Sequence, residues 1–102
     1  MKGKRLSVDG LSLFYTKNKT GSFRVGISVS KKLANAVRIN RLKRQIRDCI
    51  RRVLEDHEAG YDMVFVVRKE LSAAPYEKIL RTVDTVLQRA VLHSLKSEGT
   101  AP

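Results

Sequence analysis

The chain has 102 residues, the length of one domain, and a domain of this size has a core of modest extent. Its composition, 42% hydrophobic and 30% charged residues, is typical of a globular protein and excludes wholesale disorder. The formal charge of +11 favours a polyanionic partner, with nucleic acid ahead of an acidic membrane surface.

Targeting segments and disulfide chemistry are not predicted. No stretch reaches the roughly 18 apolar residues that a membrane-spanning helix needs, and the first residues lack the apolar run of a signal peptide. Cys49 is the single cysteine, which excludes an intrachain disulfide and a zinc site built from four cysteines. We therefore expect a cytoplasmic protein in which Cys49 is a small buried thiol.

A strand is predicted after a short basic lead at residues 1–5. In residues 10–17 the side chains alternate between two faces. One face holds Leu11, Leu13 and Tyr15, and the other holds Ser12, Phe14 and Thr16. The turn residues KNKTGS at 17–22 then separate this strand from the next, so a hairpin is expected.

The second strand, FRVGISVS at residues 23–30, has the clearest alternation in the chain. Its core-facing side chains are Phe23, Val25, Ile27 and Val29. The opposite face is small, polar and basic, and consists of Arg24, Gly26, Ser28 and Ser30. An extended nucleic-acid strand could lie flat on that face, although a face that is merely exposed to solvent would have the same composition.

Residues 31–54 carry most of the net positive charge, with nine Lys or Arg residues and one acid, Asp48. Placed on a helix, the apolar residues of this segment form one stripe: Leu42, Ile46, Cys49, Ile50 and Val53. The polar residues then point away from the core: Asn40, Arg41, Arg44, Arg47 and Arg51. This segment is therefore predicted to be an amphipathic helix with a basic outer face.

The start of the basic helix is a candidate phosphate site. Arg38 and Arg41 lie near the end at which the helix dipole is positive, where acidic residues are normally preferred. Unpaired backbone N–H groups and planar guanidinium groups together suit phosphate oxygens. The alternative is a solvated basic face, although such faces usually interleave charges of both signs.

The second half of the chain predicts a strand and a helix after an acidic break at residues 55–60. The apolar run YDMVFVVR at 61–68 has the length of a strand that is covered on both faces. Ser72 is expected to cap the helix, with Pro75 in its first turn. The buried stripe of this helix comprises Ile79, Leu80, Val83, Val86, Leu87, Val91 and Leu95. Residues 97–102 are predicted to be a frayed tail.

These elements predict a single α+β domain over residues 1–102, in which a small mixed sheet packs against two main helices. No catalytic or metal-binding group is predicted, because His57 and His93 lie far apart and the carboxylates show no paired spacing. Phosphate-binding and dinucleotide-binding glycine motifs do not occur. If the chain takes part in a reaction, its partner is expected to supply the catalytic groups.

The segment FRVGISVSKKLANAVRINRLKRQIRDCIRR, residues 23–52, resembles the protein subunit of bacterial ribonuclease P. The similarity covers that family's strand, turn and RNR helix, and it continues through YDMVFVVR and the closing helix. The combination of GISVSKK, NAV and the N-R-x-K-R spacing is specific, because a generic basic helix would not reproduce all three. The resemblance implies a left-handed crossover between parallel neighbouring strands, an exception to the usual hand.

The resemblance also implies a role in removing the 5′ leader from precursor tRNA. The protein would bind a catalytic RNA and the leader, while that RNA, which would hold most of the Mg²⁺, hydrolyses the phosphodiester. The RNA-binding positions carried over or predicted from the helix are Lys31, Lys32, Arg38, Asn40, Arg41, Lys43, Arg44, Arg47 and Arg51. The candidates for a leader groove beside the sheet are Tyr15, Arg24, Ser28 and Ser30, with Tyr15 stacking on a base.

The chain departs from the family pattern at two places. Ile39 stands where the family usually has the first Arg of RNR, and Arg38 directly precedes it. The basic, Phe-bearing helix with which family members usually begin is missing, since the first predicted strand starts almost at once. Two other hypotheses are a stand-alone basic RNA-binding module, either ribosome-associated or chaperone-like, and a metal-dependent nuclease that acts alone.

Overall fold

A computed structural model describes residues 3–55 and 60–92 of the chain. The elements in chain order are β1 (Lys4–Val8), β2 (Leu11–Lys17), β3 (Phe23–Val29), α1 (Ala36–Leu54), β4 (Tyr61–Val67), α2 (Lys69–Ser72) and α3 (Tyr76–Leu87), followed by a π-helical turn at Gln88–Leu92. The predictions for His57, His93, Leu95, the side chain of Val91 and residues 97–102 fall outside the described part.

The four strands form one mixed sheet in the order β1-β2-β4-β3. β2 is antiparallel to both β1 and β4, whereas β3 and β4 are parallel neighbours joined through α1. The α+β class and the mixed sheet are thereby confirmed. The hand of the β3-α1-β4 crossover stays a prediction from the family resemblance.

The sheet has one strand more than the sequence predicts, because Lys4 and Arg5 of the presumed basic lead begin β1. β1 and β2 are joined by a two-residue turn of Asp9 and Gly10, whose φ angles are +46° and +88°. Positive φ at both positions is the requirement of a type I′ turn, and Asp-Gly is a preferred pair for it. Before β2 the described residues therefore form an edge strand, with no helix among them.

Both long helices pack on the same face of the sheet. The core there includes Leu11 and Leu13 of β2 with Met63 and Phe65 of β4, all at most 1% exposed. The expectation that β4 is covered on both faces is wrong, since Val64 on its other face is 46% exposed. A continuous apolar run predicts burial on both faces only where helices cover both faces of the sheet. Here no described helix packs on the second face.

The basic helix α1 begins at Ala36, one residue after its cap. The Asn35 side chain accepts a hydrogen bond from the backbone N–H of Arg38 at 2.8 Å. Four of the five predicted stripe positions are confirmed as buried, whereas Val53 is only half-buried. With Ile39 and Leu54 added, the buried residues of α1 are Ile39, Leu42, Ile46, Cys49, Ile50 and Leu54. Burial also raises the pKa of the Cys49 thiol, as expected for a packed rather than a reactive cysteine.

The predicted cap at Ser72 is wrong. The Ser72 hydroxyl donates to the Lys69 carbonyl oxygen at 2.9 Å, within the separate short helix α2 that ends at this residue. Pro75 precedes the first residue of α3, Tyr76. The predicted stripe of this helix is buried at Ile79, Val83, Val86 and Leu87, whereas Leu80 is half-buried beside α1.

Candidate nucleic-acid interface

The outer face of α1 presents a row of exposed polar and cationic side chains, and we call this row the α1 surface: Asn40, Arg41, Arg44, Arg47 and Arg51. Within the described part of the chain, none of these arginines forms an ion pair with a carboxylate. Asp48 is the one acid on this helix. Because the opposite side of α1 is anchored in the core, the guanidinium groups are displayed on a fixed axis and are available to an external anion.

The first turn of α1 has no acidic residue to offset the helix dipole. Arg38 is held in place by its guanidinium Nη2, which donates to the Ser72 carbonyl oxygen at 2.6 Å. Ile39 is 7% exposed and enters the core. The departure at Ile39 therefore has a packing reason: its apolar side chain occupies the inward position, and the preceding Arg38 binds the α2–α3 corner.

The turn between β3 and α1 carries the predicted contacts Lys31 and Lys32, both of which are exposed. The Ser30 hydroxyl accepts from the backbone N–H of Lys32 at 3.2 Å, and the Ser30 carbonyl oxygen accepts from Leu33 at 3.0 Å. Ser30 thus shapes this turn rather than lying on the sheet. Lys43 of α1 is half-buried, and so it is less exposed than the side chains of the α1 surface.

A second surface is the face of the sheet that no described helix covers, which we call the open sheet face. By register it consists of Arg5, Ser7, Ser12, Phe14, Thr16, Arg24, Gly26, Ser28, Asp62, Val64 and Val66. Phe14, Val64 and Gly26 are cross-strand neighbours, so an apolar strip crosses three strands. Phe14 is 39% exposed, and the Arg5 guanidinium lies 5.4 Å from the centroid of its ring.

Tyr15 does not share this face with Ser28. Its ring lies 6.4 Å from that of the buried Tyr61, on the side of the sheet where the helices pack. Phe14 is therefore the aromatic residue on the face of Arg24 and Ser28, and a leader contact of Tyr15 stays a prediction. The strand alternation already paired Phe14 with the polar side of β2, but only the register between β2, β4 and β3 shows which sides coincide.

One end of the open sheet face holds an internal ion pair. Arg24 donates to Asp62 through Nε at 2.6 Å and through Nη2 at 2.7 Å, and the Asn18 side-chain amide donates to the same carboxylate at 2.8 Å. The hydrogen bonds from Arg24, and next the one from Asn18, lower the pKa of Asp62. The Arg24 charge is thus largely matched by the chain itself, and this end is close to neutral.

The opposite end of the face holds Arg68, which sequence reasoning missed. Its Nε donates to the hydroxyl of the fully buried Ser12 at 3.3 Å, and Ser12 shares a second hydrogen bond of 2.9 Å with Ser7. Arg68 is exposed and has no ion pair among the described residues. No local pattern pointed to Arg68, because its position at this end depends on how β4 pairs with its neighbours.

Neither a metal cage nor a membrane span is found in the described part of the chain. Residues 3–55 and 60–92 contain no group of three or more His, Cys, Asp or Glu side chains that could hold a metal ion. Among the same residues, no helix is both long enough and apolar enough to cross a membrane. The candidate interface is therefore described by its arginines, its aromatic strip and its hydrogen-bonding side chains.

Comparison with known proteins agrees with this geometry. The family profile described as Ribonuclease P matches residues 1–91. The ribonuclease P protein component of Bacillus cereus strain AH820 is 37% identical over 81 residues, which cover 79% of this chain and 68% of that protein. The RNase P protein of Staphylococcus aureus superposes with a TM-score of 0.80 at 33% identity, covering 88% of this chain and 83% of that one. For the RNase P protein of Thermotoga maritima the TM-score is 0.77 at 30% identity, with 86% and 84% covered. The chain therefore belongs to the ribonuclease P protein family.

Proposed function

We propose that this chain binds the catalytic RNA of ribonuclease P along the α1 surface and the 5′ leader of precursor tRNA on the open sheet face, so that the leader is removed by endonucleolytic cleavage. Membership of the family places the chain in an endoribonuclease complex with RNA. The observation that carries the finer proposal is the set of α1 arginines that no described carboxylate neutralises. The cytoplasmic location predicted from the sequence is part of this proposal.

The α1 surface suits a phosphate backbone in both chemistry and dimension. Arg41 and Arg51 are ten residues apart, which corresponds to about 15 Å along a helix. Guanidinium groups present planar pairs of donors that match phosphate oxygens, and they do not lose their charge at physiological pH. Because each neutralised phosphate releases bound counterions, the affinity of such a surface falls steeply with salt.

The open sheet face suits unpaired nucleotides rather than a duplex. Phe14 offers an exposed ring for base stacking, and Gly26 leaves the neighbouring part of the sheet flat. Ser28 supplies an exposed hydroxyl beside this strip. Arg68 at one end is a donor for a backbone phosphate, whereas the Arg24–Asp62 pair at the other end offers little net charge.

The hydrolysis itself is assigned to the RNA subunit. Bound Mg²⁺ would polarise phosphoryl oxygens and activate water. The described residues offer no cluster of ligands for such an ion, and in this proposal the RNA subunit holds it. The contribution of the polypeptide is to bind, to orient the substrate and to neutralise phosphate charge.

One reconstitution experiment tests this proposal. The pure chain is incubated with precursor tRNA at low Mg²⁺ concentration, with and without the cognate catalytic RNA, and the mature 5′ end is measured. We expect that end to form only when both subunits are present. Cleavage by the chain alone would point to an independent nuclease. Equal affinity for unrelated RNAs, without any effect on cleavage, would point to a stand-alone RNA-binding module.

A further inference from the structure

A second basic surface lies on the far flank of α3, where the helix passes the turn between β1 and β2. We call it the α3 cleft. Its volume is about 510 Å³ and it is lined by side chains of α3, of the π-helical turn and of the β1–β2 turn, among them Lys78, Arg81, Thr85, Arg89 and Asp9. The three cations are exposed, and they follow one side of the helix over eleven residues, or about 16 Å.

The cations of the α3 cleft are not neutralised by their neighbours. Lys78, Arg81 and Arg89 form no ion pair with any described carboxylate. Lys78 and Arg89 have no acidic residue at the helical spacings of three or four within α3; Arg81 has Glu77 and Asp84, and it pairs with neither. The Thr82 and Thr85 hydroxyls line the cleft, and each donates its hydrogen bond to a carbonyl oxygen of its own helix.

Asp9 is the single acid in the lining, and the turn accounts for its presence. Its φ of +46° is the left-handed conformation that the first position of a type I′ turn requires, and Asp tolerates this conformation better than most residues. It makes no ion pair with the cations of the cleft among the described contacts. The cleft therefore retains a positive balance.

The α3 cleft is separate from the α1 surface. α1 packs against β3 and α3, whereas α3 also contacts β1 and β2, so the two basic surfaces flank the helical layer on opposite sides. The groove between the two helices is lined by Glu77 and Asp84 together with Arg52 and Arg81, so its formal charges balance. A groove without net charge thus separates the two basic surfaces, and one straight phosphate backbone would not follow both surfaces.

We propose that the α3 cleft is a second binding site for the phosphate backbone of the catalytic RNA, so that this protein contacts two separate segments of that RNA in addition to the leader. The inference rests on the proposed RNA partner. Its chemistry is phosphate recognition by one ammonium and two guanidinium groups over several nucleotides, without base readout. A protein that holds two segments would fix their relative position as well as reduce their mutual repulsion.

The first test measures the salt dependence of binding between the full chain and the cognate catalytic RNA. The variant Lys78→Gln/Arg89→Gln should lower the slope of log affinity against log salt by about 1.4 to 1.8, for the loss of two contacts. The matched control Lys19→Gln/Arg52→Gln removes the same charge from the β2–β3 turn and from the groove between the helices. An unchanged slope in the first variant, or equal losses in both, would overturn the proposal.

The second test locates the RNA directly. Because the single native cysteine is buried, a cysteine introduced elsewhere can be labelled with a tethered iron chelate that cleaves nearby RNA by hydroxyl radicals. Val37→Cys reports on α1, where Val37 is 70% exposed, and Thr85→Cys reports on the α3 cleft. We expect cleavage at two different sets of nucleotides. Cleavage from position 37 with none from position 85 would overturn the second site and leave the proposed function intact; silence at both would overturn both.

Discussion

The α1 surface and the open sheet face both carry arginines, but they hold them differently. On α1, Arg41, Arg44, Arg47 and Arg51 project from a buried helix without a carboxylate partner among the described residues. On the sheet, each arginine has a partner in the chain: Arg24 binds Asp62, Arg5 lies over Phe14, and Arg68 binds Ser12. The arginines of the helix form no ion pair with a described carboxylate, whereas those of the sheet are held in place by the chain, and one of them, Arg24, is also neutralised by a carboxylate.

This difference matches two kinds of RNA. Guanidinium groups without a carboxylate partner, held on a rigid axis, bind most strongly to phosphates, whose spacing is regular in a folded RNA. A flat apolar strip with an exposed aromatic ring binds most strongly to bases, whose faces are accessible for stacking only in single strands. We therefore expect charge changes to act mainly through α1, and changes of shape to act mainly through the sheet.

The largest effect is expected from removing two cations of the α1 surface. Arg41→Ala/Arg44→Ala should weaken assembly with the catalytic RNA about a hundredfold at physiological salt, and lower the salt slope by about 1.4 to 1.8, through the loss of two phosphate contacts. Thermal unfolding should stay close to that of the native chain, because both side chains are exposed. Titrations over a range of salt concentrations provide the measurement. Lys19→Ala/Arg52→Ala is the control, and assembly unchanged at physiological salt would remove the basis for assigning this face.

The next effect concerns the aromatic ring of the open sheet face. Phe14→Ala should weaken binding of precursor tRNA by the assembled enzyme about tenfold, since base stacking contributes about 1 to 3 kcal/mol per base. Affinity for the catalytic RNA should not change. Binding of precursors with long and with single-nucleotide leaders separates the two contributions. Tyr76→Ala removes an aromatic ring that is 43% exposed at the start of α3 and serves as the control; equal effects of both variants would contradict the stacking role.

A smaller effect, on stability, is expected from Arg38. Arg38→Ala removes the hydrogen bond to the Ser72 carbonyl oxygen and should lower the free energy of unfolding by about 0.5 to 1.5 kcal/mol. Urea denaturation measures this loss. If Arg38 acts mainly in holding the α2–α3 corner, the salt slope for RNA binding will change much less than in an α1-surface variant. A full unit of slope lost without a change in stability would instead make Arg38 a phosphate contact.

The smallest effect is a pH dependence at the neutral end of the sheet. The pKa of Asp62 in the folded protein is below its ordinary value of 3.8, so its ionised form stabilises the fold above that pH and the stabilisation disappears as the pH falls through the folded pKa. Asp62→Asn should therefore lower the melting temperature slightly at pH 7 and have progressively less effect below pH 3.8. Melting curves from pH 7 downward measure this effect, with Asp48→Asn as the control for the loss of one charge. A destabilisation by Asp62→Asn that grows below pH 3.8 would contradict the prediction.

Local patterns in the sequence account for much of the fold. The alternation in β2 and β3 correctly assigned the two faces of each strand, because a strand places successive side chains on opposite sides whatever it pairs with. The amphipathic stripe of α1 was found for the same kind of reason. β1 was missed, since KRLSV is short and its first residues read as a basic lead.

Only part of the candidate site could be predicted from such local patterns. The arginines of α1 follow from a single helix, so their common direction could be read from spacing. Phe14 and Arg68 share a face with Ser28 only because of the pairing of three strands, and the same register puts Tyr15 on the opposite face from Ser28. The internal pairing of Arg24 with Asp62 likewise joins residues 38 positions apart.

The amino-acid sequence by itself determined the excess of positive charge, the alternation within strands, the amphipathic basic helix and the family motif around it. These depend on residues close together in the chain, whose relative directions are set by the backbone period. Only the tertiary structure decided that one sheet face stays open, that Arg24 on this face is paired with Asp62, and that α3 carries a second cleft. Those features arise from contacts between distant segments, which no local period specifies.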